Sequence, residues 1–384
     1  MTLIKATSNK SLKGHKAIIL LNSEAPEDQI DTIKKQFPDL IIKAFSERKH
    51  GEPLEPDFDE REWKDTTIIL TAVATSHLLP KPEQAPHLQY VQLTSAGADH
   101  MMDKPIFTDT KIPVCTANGV HGPQIAEWVI GTYLAHRLRL KEYSKLQDEE
   151  KWKRISKNDE DTAGKRMYGI ISKTQHDLKL TSHSGILGYG SIGRQTARVS
   201  KALGLDVHAY TLHPRDTPSS RRDESYSPPG LGDPEGEFPS KWFSGGSTKE
   251  IHAFLDSGLD ILVIALPLTE KTKGLISKPE FEIFAKRGTF LINIARGPIV
   301  NTDDLIEALN NEVVSGAALD VTDPEPLPEG HPLWEAKNVT ITPHISGNSS
   351  FYYKRLFDIF GLNLERLGEG RDDLINMVNR REGY

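Results

Sequence analysis

Ser184-Gly-Ile-Leu-Gly-Tyr-Gly-Ser-Ile-Gly-Arg-Gln-Thr-Ala-Arg198 is the stretch from which the rest of the chain is read. Ile186 and Leu187 end a buried strand, and Gly188, Gly190 and Gly193 follow in G-x-G-x-x-G spacing. Ile192, Thr196 and Val199 then continue at helical spacing. Each glycine has a physical task. The first permits the tight strand-to-helix turn, the second lets a pyrophosphate approach the backbone, and the third lets the helix pack closely on the strand. The helix N-terminus behind them offers unpaired N–H groups and a partial positive charge to phosphate. Glycine-rich turns without a ligand are common. This one lies between a strand and a helix, and Gly204-Leu-Asp-Val-His-Ala-Tyr210 reads as the next strand. That context predicts a dinucleotide site.

Composition narrows the rest. At 384 residues the chain can hold two domains, each with its own core. Hydrophobic content of 37% and charged content of 26% suit a soluble globular protein. A formal charge of −7 argues against nucleic acid as a partner. No apolar run reaches membrane-spanning length, so no membrane partner is expected. The first ten residues lack the apolar core of a signal peptide. The single cysteine, Cys115, rules out an internal disulfide and points to a reducing, cytoplasmic compartment. It sits in Ile112-Pro-Val-Cys-Thr116 and reads as a small buried hydrophobe.

Strands alternate with helices along the chain. Residues 17–21, 40–42, 68–73 and 90–93 read as strands, and Asp28 to Phe37 as a helix. Ile125 to Lys145 reads as one long helix, with Trp128, Val129, Thr132, Tyr133 and His136 at helical spacing. Residues 261–266, 289–294, 316–320 and 339–342 read as further strands, and Ser350 to about Leu367 as a last helix. Such alternation implies parallel sheets covered on both faces. Residues 1–15 read as a loose arm, and the charged stretch Glu149 to Lys179 as surface excursions. Pro214 to Ser247, rich in Pro, Gly, Ser and charge, breaks the rhythm and reads as a disordered insert, with a lid as the alternative.

Three loops carry chemistry. Asn293-Ile-Ala-Arg-Gly-Pro-Ile-Val300 puts Arg296 just past a strand, where open parallel sheets bind ligands. Its planar fork suits a carboxylate. Leu319-Asp-Val-Thr-Asp-Pro-Glu-Pro326 places Asp320 and Glu325 after the next strand, and Thr342-Pro-His-Ile-Ser-Gly347 places His344 after the last. A histidine beside a carboxylate makes an acid/base, with tautomer and charge set by its partner. The other thirteen of the 14 histidines read as structural.

With these loops, the chain closely resembles the D-isomer-specific 2-hydroxyacid dehydrogenases. The resemblance runs from about Ala17 to Tyr384. It rests on Ser95-Ala-Gly-Ala-Asp99, Asn118-Gly-Val120, Ala126-Glu127, Gly188-Tyr-Gly-Ser-Ile-Gly193, Pro267-Leu-Thr269, Asn293-Ile-Ala-Arg-Gly297, Leu319-Asp-Val321, Glu325-Pro326, Thr342-Pro-His344 and Gly383-Tyr384. It implies an α/β fold of two Rossmann-like domains with parallel sheets and a cleft between them. Residues 1–118 with 348–384 would form the substrate domain. Residues 119–347 would form the dinucleotide domain, with an insert at 214–247. It also implies a homodimer.

On this resemblance His344 is the proton donor, Glu325 its partner, and Arg296 the group that holds the carboxylate and carbonyl of a small 2-oxo acid. Backbone N–H groups of Ala96, Gly97 and Ala98 form a second carboxylate site. The cofactor is held by Gly188, Gly190, Ser191, Ile192 and Gly193, by Pro267 and Ala295, and by Asp320 facing the nicotinamide carboxamide. No metal is expected. The implied reaction moves hydride between NAD(P)H and a 2-oxo acid to give a D-2-hydroxy acid. A dinucleotide-sensing corepressor of the same fold is the alternative from another class. A formate dehydrogenase is disfavoured because that branch has glutamine where Glu325 stands. A long-type phosphoglycerate dehydrogenase is disfavoured because no further domain follows Tyr384.

The chain departs from the family pattern in three places. The acid that usually follows the second Rossmann strand is Thr211, the insert after Pro214 is long, and residues 164–180 look expanded. An acid at the first position would bind the ribose 2′-OH of NAD and repel a 2′-phosphate. Thr211, His213 and Arg215 therefore predict NADP(H) over NAD(H), with the Thr211 hydroxyl free to donate to phosphate, Arg215 the leading cation and His213 a weaker one.

Overall fold

The computed structural model describes residues 9–47, 54, 57–155 and 182–382. The expected surface excursions between Glu149 and Lys179 fall largely outside these residues, as do the expansion at 164–180, most of the N-terminal arm and the closing Gly383-Tyr384. The chain divides into two compact units, residues 1–120 with 349–384 and residues 121–348.

The first unit is built on a parallel sheet. Its strands are β1 (Lys16–Leu21), β2 (Ile41–Ser46), β3 (Ile68–Thr71), β4 (Tyr90–Leu93) and β5 (Val114–Cys115), in the order β2-β1-β3-β4-β5 among the described residues. β3 and β4 are buried along their whole length, as apolar runs inside a covered parallel sheet should be. Ile18, Leu20, Ile69, Val91, Met101 and Phe107 form the core on one face. The final helix, Tyr352–Gly368, packs here: its buried Asn363 donates to Tyr90 Oη at 3.0 Å and accepts from the Ile375 N–H at 2.7 Å. Cys115 is fully buried, and desolvation raises its thiol pKa to about 12.

The second unit carries β6 (His183–Leu187), β7 (Asp206–Thr211), β8 (Pro239–Ser244), β9 (Ile261–Ile264), β10 (Phe290–Asn293), β11 (Gly316–Leu319) and β12 (Val339–Ile341). Among the described residues they run β12-β11-β10-β9-β6-β7-β8, all parallel. Strand order reverses at β6, and ligands of such sheets lie at that switch point, beyond the carboxyl ends of the strands.

Two expectations are corrected. The helix predicted from Ile125 to Lys145 is two helices, Gly122–Arg137 and Leu140–Asp148, broken where Arg139 takes the left-handed conformation. The apolar face that holds the first helix ends at His136, which stacks on Phe290. Beyond it Leu138 and Leu140 are exposed and the second helix buries no residue.

Pro214 to Ser247 is ordered rather than disordered. It holds the short helix Pro218–Arg221 and the edge strand β8, which pairs with β7 across a bulge. Composition suggested a loop; tertiary partners decide otherwise. Asp233, buried, accepts from Tyr189 Oη at 2.7 Å and from the N–H groups of Glu237 and Phe238 at 2.9 and 3.1 Å. Arg194 reaches the Asp233 and Arg221 carbonyls, and Gln195 Oε1 accepts from the Gly232 N–H at 2.7 Å. The insert thus covers the polar side of the helix Ser191–Ala202 and grips the residue between the first two glycines. Asp233→Ala would leave two backbone donors and a phenol unpaired, at about 1–3 kcal/mol for each buried group that water cannot reach. We expect a loss of about 2–4 kcal/mol in denaturant melts and faster proteolysis within 214–247. An unchanged melt would remove Asp233 as the anchor.

Candidate active site

The loop after β6 has the geometry its glycines predict. Gly188 has φ +104°, and a Cβ there would stand 2.5 Å from the Ala265 carbonyl oxygen. A Cβ on Gly193 would stand 2.3 Å from the Gly188 oxygen, so the helix can close on the strand only with glycine. Gly190 differs: a Cβ there meets no protein atom within 4 Å. The chain's own packing does not demand glycine at 190. Gly190 is also the N-cap of Ser191–Ala202, and no side chain caps that helix start. Burial, and then the Asp233 carboxylate, push the Tyr189 hydroxyl well above its usual range, so it remains a donor. Pro267, in the loop after β9, is half-buried.

Arg296, Asp320, Glu325 and His344 come together on the loops that follow β10, β11 and β12. Asn293, the last residue of β10, shapes the first loop: its amide donates to the Arg296 carbonyl at 3.0 Å, and its oxygen accepts from the Ala295 N–H at 3.1 Å. Arg296 Nη1 donates to the Ala295 carbonyl at 2.8 Å, which fixes one edge of the fork. Gly297 lies against the next loop so closely that a Cβ would stand 1.9 Å from the Thr322 oxygen. This contact ties the Arg296 loop to the loop that carries Glu325.

His344 Nδ1 lies 2.8 Å from Glu325 Oε1. A carboxylate only accepts, so Nδ1 is the donor and Nε2 is left for chemistry. Both side chains are exposed, at 52% and 41%, which leaves the ring accessible to a reactant. His344 has φ 55°, a left-handed conformation that costs a residue with a side chain about 1–3 kcal/mol. Asp320 holds it there. Its backbone oxygen accepts from the His344 N–H at 2.9 Å. Its carboxylate, 1% exposed, accepts from Thr342 Oγ1 (2.5 Å), Ile345 N (2.9 Å), Ser346 N (2.9 Å) and Ser346 Oγ (2.5 Å). Four bonds use a carboxylate's full accepting capacity. The resemblance turns Asp320 toward a carboxamide; the structure gives it the His344 loop to hold.

Other predicted residues lie elsewhere. Ala96, Gly97 and Ala98 follow β4 in the first unit, with Ser95 Oγ donating to the Gly97 carbonyl at 2.6 Å. Thr211 ends β7, but its hydroxyl donates to the His213 carbonyl at 2.8 Å. The expectation that this hydroxyl faces a phosphate is corrected, because the chain folds back on itself directly after the strand. His213 is exposed. Arg215 is half-buried; it donates to the Ser220 carbonyl through Nη1 and has no hydrogen-bond partner for Nε. Sequence reasoning missed Asn293, Thr342, Ser346 and Asp233. The first three stand inside quoted motifs, and a polar side chain within three residues of a reactive one is the signal that could have found them.

Comparisons with known proteins place the chain among relatives of one family. Residues 244–346 match the family model described as D-isomer specific 2-hydroxyacid dehydrogenase, NAD binding domain. A hydroxypyruvate reductase of Blautia hydrogenotrophica is 34% identical over 51% of this chain and 52% of its own. Glyoxylate/hydroxypyruvate reductase A of Citrobacter koseri is 30% identical over 77% of this chain and 82% of its own. A crystal structure of a D-isomer specific 2-hydroxyacid dehydrogenase from Xanthobacter autotrophicus, in complex with NADPH and MES, superposes with a TM-score of 0.70. It is 24% identical and covers 96% of this chain and 99% of that one, a likeness of fold.

Proposed function

This chain belongs to the D-isomer-specific 2-hydroxyacid dehydrogenase family, and from that premise we propose that it reduces small 2-oxo acids of the glyoxylate and hydroxypyruvate kind, or aryl-substituted analogues, to D-2-hydroxy acids. The observation that carries the site assignment is the His344–Glu325 pair, 2.8 Å apart, which joins the loop after β12 to the loop that Gly297 ties to Arg296. A bound reduced nicotinamide supplies the hydride. Gly190, whose place no protein atom fills, and the uncapped helix start at Ser191 fit its pyrophosphate. Negative charge grows on the substrate's carbonyl oxygen as hydride arrives at C2. Arg296 offsets that charge, and His344 Nε2 delivers the proton. The backbone of Ala96 to Ala98 is the proposed second hold on the carboxylate. Steady-state assays across a panel of 2-oxo acids, with chiral analysis of the product, test the reading. No reduction of any of them, or an L product, would overturn it. The reductase names of the relatives support catalysis over the corepressor reading.

The preferred cofactor in this proposal is NADP(H). Thr211 supports it by the carboxylate it lacks rather than by its hydroxyl. Arg215, four residues on, supplies a half-buried cation whose Nη1 is held by the Ser220 carbonyl. One charge-assisted bond contributes ~1.5–3 kcal/mol, a preference of about ten- to a hundredfold. We expect kcat/KM to favour NADPH by that factor and Arg215→Ala to erase most of it. Preference for NADH in the wild type, or an unchanged ratio in the variant, would remove the argument. Among the described residues no helix is long and apolar enough to cross a membrane. A cytoplasmic setting rests on the lone, buried Cys115. A homodimer is supported by the exposed Leu138, Leu140, Tyr143 and Trp152 in and beside the helix Leu140–Asp148.

A further inference from the structure

At the amino ends of β6 and β7, away from the glycine loop, lies a group that the reaction does not use. His183 opens β6, Asp206 opens β7, and His208 stands two residues along β7. His183 and Asp206 are register partners. Asp206 and His208 share one face because strand side chains alternate. His183 Nε2 lies 3.9 Å and His208 Nε2 3.5 Å from the same oxygen, Asp206 Oδ2. All three ligand-type atoms fall within 4.8 Å of one another.

Each ring is oriented through its other nitrogen. His183 Nδ1 lies 3.1 Å from the Gly258 carbonyl, which only accepts, and 3.5 Å from Arg287 Nη2; the shorter contact places the proton on Nδ1 and leaves the Nε2 lone pair facing inward. His208 Nδ1 lies 2.8 Å from the Ser257 hydroxyl. The His208 side chain is fully buried, and its Nε2 has no hydrogen-bond partner. An imidazole anchored at one nitrogen, with the other aimed at a carboxylate and a second imidazole, is the arrangement that fixes a metal-binding tautomer.

We propose that His183, Asp206 and His208 bind one divalent transition-metal ion, with zinc as the leading ion and water completing the shell. Two imidazoles and a carboxylate suit such an ion. Bonds of ~2.0–2.2 Å in a tetrahedral site set ligand atoms about 3.4 Å apart. The two separations to Asp206 Oδ2 already approach that value. The widest, at most 4.8 Å, closes by about 1.4 Å when two side chains share the shift. Three cations are near: Lys201 lies 3.8 Å from the other oxygen, Asp206 Oδ1, Arg287 pairs with Asp260 at 3.1 Å and reaches His183 Nδ1 at 3.5 Å, and the Lys241 charge acts on His208. Ser240 Oγ donates to Asp206 Oδ2 at 2.6 Å and orients it. His183 and Asp206 are about a quarter exposed, which gives an ion its entry. The ion would clamp the starts of two neighbouring strands. Gly188 is five residues on from His183, about 16 Å of strand.

The test uses the untagged full chain, stripped with chelator and titrated with Zn²⁺ by calorimetry and with Co²⁺ by visible absorption. We expect one equivalent bound, a four-coordinate Co²⁺ spectrum, and a Tm that rises with Zn²⁺. His183→Ala and Asp206→Asn, both at partly exposed positions, should each weaken Zn²⁺ binding at least tenfold. Both should lose the Tm rise and keep wild-type coenzyme affinity. No saturable uptake by the wild type, or equal affinity in the wild type and both variants, would overturn the assignment.

Discussion

His344→Ala should lower turnover by about two to four orders of magnitude, the range for removing a positioned general acid, while coenzyme affinity stays near that of the wild type. The split follows from where the ring sits. His344 is on the loop after β12, bonded to Glu325 through Nδ1, and Nε2 is its remaining functional atom. The glycine loop lies after β6, on other strands. Removing the imidazole takes away a proton and a positive charge at the moment the carbonyl oxygen becomes an alkoxide. The Asp320 bonds to Thr342, Ile345 and Ser346 remain, so the loop keeps its shape. Alanine keeps a Cβ at φ 55°, so no gain in folding stability is expected. A variant that turns over near the wild-type rate would show that His344 is not the acid. A variant that loses coenzyme binding as well would show that it is structural.

What could be read from the sequence, and what could not, divides along a physical line. The strands at 68–71, 90–93 and 261–264 were legible because a covered parallel sheet makes each an unbroken apolar run. The candidate loops were legible because ligands of open parallel sheets bind past the carboxyl ends of strands, so Arg296, Glu325 and His344 became candidates from the strand assignment. β8 was not. Pro-Ser-Lys-Trp-Phe-Ser is half-exposed edge strand with no apolar signature. Its order comes from Asp233, Arg194 and Gln195, which meet only in three dimensions. The break at Arg139 was illegible for a related reason, since helix periodicity says where an apolar face continues and not what it packs on. Asp320 was legible as a carboxylate just past β11. Its bonds to the His344 loop depend on the turn that brings Thr342 and Ser346 back over β11, which spacing does not encode.

Arg296→Lys should lower kcat/KM by about 10²–10³, the usual cost of removing a donor aimed at a developing oxyanion, through a lower kcat together with a higher KM. Lysine keeps the charge but presents it as a flexible point, whereas guanidinium offers two parallel donors in one plane. Here the fork is already held at one edge by the Ala295 carbonyl. Its loop is pinned by Asn293 and by the approach of Gly297 to Thr322. A lysine inherits the backbone position without that orientation. If Arg296 served only ground-state binding of the carboxylate, KM would rise alone. The added loss in kcat follows from the proposed role, in which the same fork meets the carbonyl oxygen, where charge appears only as hydride arrives. Steady-state kinetics at saturating coenzyme separate the two terms. A variant with both constants unchanged and only a lower Tm would make Arg296 a structural member of the β10 loop and leave His344 to act without it.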